Sequence, residues 1–201
     1  MEKYYGISEI PYERKSIERI LTGFPDLDYD IKGMEVGITL LVANTNSGKS
    51  TFCQGILSRA IEQGYKAWVF SGEHTARSFL QLIYHQNSQK KDYFPVVYKD
   101  KAGRDTNIAD WYITEERERE VRRKFEGNLF LYNKARRSVE MIIESMKACH
   151  DEQGARFFLI DNLISIDNIT SNVFAEQTRI TEAIRTFSLN YNVIVLLVAH
   201  Q

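Results

Sequence analysis

Ile38-Thr39-Leu40-Leu41-Val42-Ala43-Asn44-Thr45-Asn46-Ser47-Gly48-Lys49-Ser50-Thr51 is the stretch whose reading decides the fold. An apolar, β-branched run ends in a small polar loop, and Gly48-Lys49-Ser50-Thr51 opens an amphipathic helix. Strand, tight loop and helix in that order make a phosphate-binding loop. Its backbone N–H groups and the helix N-terminus form a concave anion site. Lys49 is expected to reach the β- and γ-phosphates, and the Ser50 hydroxyl to sit on Mg²⁺.

Ala43 stands where the usual pattern has its first glycine, which alanine can replace if the backbone there does not need φ > 0. A Gly-Lys-Ser-Thr helix start that binds nothing is the other reading. The strand before and the helix after are the context the motif requires. The expectation is therefore a nucleoside triphosphate with Mg²⁺, held by Ala43, Asn44, Thr45, Asn46, Ser47, Gly48, Lys49, Ser50 and Thr51.

The 201 residues suit one α/β domain with a sizeable core, and 43% apolar with 26% charged residues is ordinary for a globular chain. A formal net charge of −1 gives no global attraction to nucleic acid, so any such contact has to come from local loops. The longest apolar run, 193–199, is too short to span a bilayer, and the N-terminus lacks the apolar core of a signal peptide. The two cysteines, Cys53 and Cys149, have no paired spacing, which indicates neither a disulfide framework nor a zinc site. Together these point to a reducing, cytoplasmic setting without a membrane partner.

Residues 1–20 read as an arm, with Ile17, Ile20 and Leu21 at helical spacing, and 21–201 as the domain. Residues 22–25 turn the chain, and 27–37 lead into the first strand. After the loop, Phe52, Cys53, Ile56, Leu57, Ala60 and Ile61 predict a helix over 48–63, stopped by Gly64. A strand at 66–71 and a helix with Ala76, Phe79, Leu80 and Ile83 inward repeat the βαβ rhythm of a parallel sheet. Periodicity fades over 85–111, which reads as an irregular surface excursion. Thr114 caps a helix with acids first and bases last, supported by Glu115–Arg119 and Glu118–Arg122 spacings. A short strand (128–132), a helix with Val139, Ile142, Ile143 and Met146 inward, and a strand (156–161) follow. A polar loop (165–172), a helix from about 174 and a last strand (193–199) complete the pattern.

Three side chains fall at strand ends, where an open parallel sheet binds its ligands. Asp161 closes Phe157-Phe158-Leu159-Ile160, and is either a turn cap or, with Ser50, a Mg²⁺ ligand acting largely through water. Glu73 follows Trp68-Val69-Phe70-Ser71-Gly72, and is either an acid at a helix start or the general base that polarises the attacking water. His200 ends the last strand, as a structural residue or a sensor of the γ-phosphate.

This combination resembles the RecA-like motor core of replicative hexameric DNA helicases, most closely the Twinkle and phage primase-helicase branch and next bacterial DnaB. The matching pieces are 22–28 entering the core, 43–51 as the phosphate loop and Ser71-Gly72-Glu73 at the catalytic glutamate. Leu159-Ile160-Asp161-Asn162-Leu163 matches the Walker B strand, and Val198-Ala199-His200 the strand-end histidine. Alanine at the first loop position is also what DnaB-type proteins show. The resemblance implies Glu73 as base, Lys49 at the phosphates, His200 as γ-phosphate sensor and 165–172 as a single-stranded DNA loop. It also implies a hexameric ring, with primase or other replisome components as further partners, in a bacterial, phage or mitochondrial setting. In such helicases further strands, another DNA loop and a trans-acting arginine finger, worth about a thousandfold or more in rate, follow the histidine. The chain as given ends at Gln201, so the expectation is a truncated piece that hydrolyses ATP slowly. Two other readings share the motifs: a helicase-loader or clock-type assembly module, and a RecA or RadA-type recombination ATPase.

Overall fold

A computed structural model describes residues 18–44, 47–166 and 173–200, with the side chains of 107–109, 173 and 200 outside that description. Its centre is a five-stranded, wholly parallel sheet. In chain order the strands are β1 (Gly37–Ala43), β2 (Ala67–Ser71), β5 (Leu129–Leu131), β6 (Phe157–Asp161) and β7 (Ile194–His200). Their spatial order is β1-β7-β6-β2-β5, with β1 and β5 at the edges. Parallel strands require crossovers, which helices supply. These are α2 (Lys49–Glu62), α3 (Ala76–Gln86), α4 (Glu115–Phe125), α5 (Val139–Gln153) and α6 (Val173–Asn190).

Alternation along the strands builds two cores. Val69, Phe157, Leu159, Leu196 and Val198 pack with Ile56, Leu57 and Ala60 of α2, Phe79 and Ile83 of α3, and Val121 and Phe125 of α4. On the opposite face Trp68, Phe70, Phe158, Ile160, Val195 and Leu197 meet Ile142 and Met146 of α5 and Ile180, Ile184 and Phe187 of α6. A sheet buried on both faces needs near-continuous apolar strands, as β6 shows with every residue buried. The expected parallel sheet is therefore observed, with helices packed on both of its faces.

Three stretches differ from the expectations. The run after residue 24 forms a helix, α1 (Pro25–Ile31), with Pro25 at its start and Asp26 and Asp28 in the first turn. Asp28 accepts hydrogen bonds from the Thr22 N–H and hydroxyl (2.7 and 2.8 Å) and from the Gly23 N–H (3.0 Å). Burial works to raise its pKa, but those bonds outweigh it and hold the carboxyl below its ordinary value. The helical spacing of Ile17, Ile20 and Leu21 does not become a helix in the described part. Ile20, fully buried, instead exchanges backbone hydrogen bonds with Met34 (2.9 and 2.8 Å). The remainder of the arm, residues 1–17, lies outside the described residues.

The third difference is the excursion over 85–111, which is ordered as an antiparallel ribbon, β3 (Tyr93–Lys99) with β4 (Asp105–Ile113). Its turn carries Gly103 at φ 79°, where an L side chain is strained. Thr106 donates to the Tyr98 carbonyl (2.8 Å), and Tyr98 donates to Asp110. Alternating Phe94, Val96 and Tyr98 encode a strand, and Pro95 interrupts the run in a way only an edge strand tolerates. The remaining helices and strands lie within one or two residues of their predicted limits, and Thr114 caps α4 by accepting from the Arg117 N–H.

Candidate nucleotide-binding site

Because all five strands run the same way, their C-terminal ends share one rim. Ala43 of β1 lies opposite His200 of β7, and Ser71 of β2 opposite Asp161 of β6. The phosphate loop, Asp161 and Glu73 therefore meet at one crevice through sheet register alone. Ala43 ends β1 in strand conformation and is not among the left-handed residues, so alanine serves there without strain. Gly48 is different. It caps α2 at φ 84°, and among the described residues nothing beyond its chain neighbours and its own helix backbone lies within 4 Å of the position a Cβ would take. The backbone thus leaves open space at the positive end of a 14-residue helix, the arrangement an anion needs.

Lys49 is 7% exposed, and its ammonium donates to the carbonyls of Ala43 (2.9 Å) and Asn44 (2.5 Å). Those oxygens aim the cation across its own loop. Ser47 donates its hydroxyl to the Asn44 carbonyl (2.7 Å), closing the loop further. Thr45 and Asn46 lie outside the described residues. Ser50 and Thr51 open α2 as expected.

Asp161 is 3% exposed at the end of the central strand β6, and its carbonyl accepts from the Gly72 N–H (2.6 Å). Cys53, one turn into α2, lies within electrostatic reach of the Asp161 carboxylate. Burial pushes that thiol up to about 12, the Asp161 carboxylate pushes the same way, and the Lys49 ammonium opposes both. A buried cation, a buried anion and the first turn of α2 are thus neighbours. That donor set fits a phosphate-bound divalent cation. Among the described residues no cluster of three or more His, Cys, Asp or Glu side chains is placed to hold a metal. Mg²⁺ would take Ser50 and Asp161, with water and the phosphates of its nucleotide completing the shell.

Glu73 is exposed at the rim and precedes α3 by three residues, so it is not in that helix's first turn, where Thr75 is the cap. Its carboxylate accepts from the Asn162 amide (Nδ2 to Oε1, 2.7 Å). Two residues to which the sequence motifs give no role of their own hold this corner. Asn162 is 3% exposed, and Arg137 donates to the Gly72 carbonyl (2.9 Å). Asn162 stands beside the acid of a recognised motif, but an asparagine after a strand end carries no signal of its own. Arg137 lies 65 positions from its partner. The backbone of His200 ends β7 beside the loop strand, and its side chain lies outside the described residues. Of the loop 165–172, Ser165 closes the short turn Leu163–Ser165, and 167–172 lie outside the described residues. Among the described helices none is long and apolar enough to cross a membrane.

Comparisons with known proteins give the family and the fold. The family described as DnaB-like helicase C terminal domain matches residues 19–200. Among solved structures, one described as an ATPase domain superposes with a TM-score of 0.68 at 19% identity, over 92% of this chain and 64% of that one. A DnaB-like replicative helicase, described with its interactions with primase, gives 0.70 at 18% identity, over 94% of this chain and 46% of that one. A KaiC-like protein from the hyperthermophilic archaeon Pyrococcus horikoshii OT3 gives 0.64 at 17% identity, over 92% and 72%. At these identities the superpositions speak to fold, a RecA-like α/β architecture, and the chain spans less than two thirds of the first two of these chains. No curated protein sequence matches significantly. With nine-tenths of its length under one family profile and a phosphate loop at the matching rim, the chain belongs to the DnaB-like helicase C-terminal domain family.

Proposed function

We propose that this chain is the ATP-binding and hydrolysing motor core of a replicative helicase moving 5′ to 3′ on single-stranded DNA, one subunit of a hexameric ring. Residues 21–201 would be the motor domain, and the segment before them an arm whose last residues dock on it. Primase and other replisome components are the partners this reading adds. The observation that carries it is the convergence of Lys49, Asp161 and Glu73 on one rim of a sheet whose family is that of DnaB-like helicases.

Phosphoanhydride hydrolysis needs phosphates held, a metal placed, a water activated and developing charge neutralised. Lys49 exchanges its two carbonyl partners for phosphate oxygens, and the α2 N-terminus adds N–H donors and the positive end of its dipole. Ser50 and Asp161 would hold Mg²⁺, which when bound would supply charge neutralisation at the phosphates. Glu73, exposed at the rim, accepts the proton of the attacking water. His200 senses the γ-phosphate, and the loop from Ser165 onward follows the single strand.

Lys49→Ala is expected to abolish nucleotide binding. Glu73→Gln is expected to keep binding while lowering turnover about 10²–10⁴-fold, the range general-base loss commonly gives. Fluorescent-nucleotide titration and steady-state ATP turnover in the intact chain measure both. Turnover that survives Lys49→Ala would overturn the proposal. A second reading, a nucleotide-binding assembly module, draws on the likeness to the KaiC-like fold. Stimulation of turnover by oligo-thymidylate favours the motor, and its absence favours the module.

A further inference from the structure

We propose that Asn162 is the positioning residue for Glu73, acting through its side-chain amide rather than on the substrate. The inference rests on the reading of Glu73 as general base. Asn162 is nearly fully buried, and both ends of its amide are engaged. Oδ1 accepts from the Ser165 N–H (3.0 Å) and from the Ser165 hydroxyl (2.9 Å). An oxygen that takes two donors fixes the amide's orientation, so Nδ2 is the atom that must face the Glu73 carboxylate. One flat, rotationally locked group therefore reaches from the turn after β6 to the carboxylate of the next strand over, 89 positions away in sequence.

The other side of the corner is equally constrained. Gly72, directly before Glu73, lies so close to Ser165 that a Cβ there would overlap its side chain. Its N–H is held by the Asp161 carbonyl and its own carbonyl by Arg137. The backbone at Glu73 is fixed by these contacts, and the Asn162 amide directs its exposed carboxylate. A base confined to one rotamer meets its water without losing side-chain entropy at the moment of reaction.

Capping the turn and positioning the base predict opposite rankings. Asp caps a turn as well as Asn does, and Ala does not. As a cap alone, Asn162→Asp should lower turnover no more than Asn162→Ala, and by the same factor whether residue 73 is Glu or Gln. As a positioning residue, Asn162→Asp replaces the donor by an oxygen that repels Glu73, so it is the worse of the two.

The test is steady-state ATP turnover and thermal melting of the intact chain carrying Asn162→Ala, Asn162→Asp, Glu73→Gln, or Asn162→Asp with Glu73→Gln. Expected are a kcat loss of about tenfold for Ala and about a hundredfold for Asp, with melting points that show each variant folded at the assay temperature. Asn162→Asp should cost nothing further once Glu73→Gln is present, since interacting residues are non-additive. Turnover of the Asp variant at or above that of the Ala variant overturns the inference. So does an equal further loss in the Glu73→Gln background, which would mean action through the metal. Wild-type turnover by Glu73→Gln alone defeats the base assignment instead.

Discussion

Cys53 is where the charge pattern of the site can be read by chemistry. Its thiol, ordinarily near 9, is raised to about 12 first by burial and then by the Asp161 carboxylate. Thiolate is the reactive form, so at pH 8 the folded protein should leave Cys53 unmodified by iodoacetamide over hours while the denatured protein reacts within minutes. The same shift fixes a sign in stability. A folded pKa above the unfolded one means that the contribution is full below pH 9 and falls as pH rises from 9 toward 12. Urea midpoints should drop less steeply over that window in Cys53→Ala than in wild type. Similar alkaline slopes would show that Cys53 is not the group responsible. Gly48 is the other residue with a single requirement. Gly48→Ala forces a Cβ onto φ 84°, at a cost of about 1–2 kcal/mol, and should weaken nucleotide binding more than a neutral change elsewhere in the loop.

Among the elements, the β3–β4 ribbon stands apart from the sheet that builds the site. Its base is anchored. The Thr114 N–H donates to the Asp92 carbonyl (2.8 Å), and Arg117 donates from Nε to the Asn87 carbonyl (2.9 Å). Tyr93 stacks on His85 at 5.4 Å between ring centroids. Beyond that base, Phe94, Val96, Val97, Tyr98, Trp111 and Tyr112 are all exposed. A two-stranded ribbon alone is marginal in water, and this one gains little from the body. Replacing 93–113 with a short Gly-Ser linker between the adjacent ends Asp92 and Thr114 should leave nucleotide affinity within about twofold and lower the melting temperature by a few degrees at most. A large loss of nucleotide affinity would show that the ribbon supports the site. The ribbon's alternating residues were visible in the sequence, but Pro95 and the lack of helical period masked them. What makes the strands is pairing with one another, and a single-strand pattern does not reveal a partner.

At the scale of the whole molecule the site depends on the central strand. β6 lies between β7 and β2 and carries Asp161 at its tip. Phe158, fully buried on its second face, meets Phe187 at 5.2 Å and Trp68 at 6.0 Å between ring centroids. Phe158→Ala should cost about 3–5 kcal/mol, read as a lowered urea midpoint with an unchanged slope. β1, which carries the phosphate loop, is instead an edge strand. Leu40 and Val42 on it are 55% and 43% exposed, and Leu40 borders an apolar groove of about 460 Å³ shared with Leu163, Phe174 and Leu197. The loop thus hangs from the least covered strand of the sheet, while Asp161 and Glu73 follow from strands buried along almost their whole length.

The sequence by itself determined the parts that depend on short-range chemistry. The strand–loop–helix at 38–51 needs only local order, and alternation of strands and helical faces needs only periodicity, so the sheet class and the strand and helix that flank the loop were legible. Asp161 and Glu73 were legible as strand-end acids, each with a second reading still open. Only the tertiary structure decided strand order, and with it that β2 lies beside β6, which brings Asn162 to Glu73 and Arg137 to Gly72. Those contacts join residues 89 and 65 positions apart. No local pattern encodes them, because they arise from which apolar strands pair in the core, and the rim inherits the result.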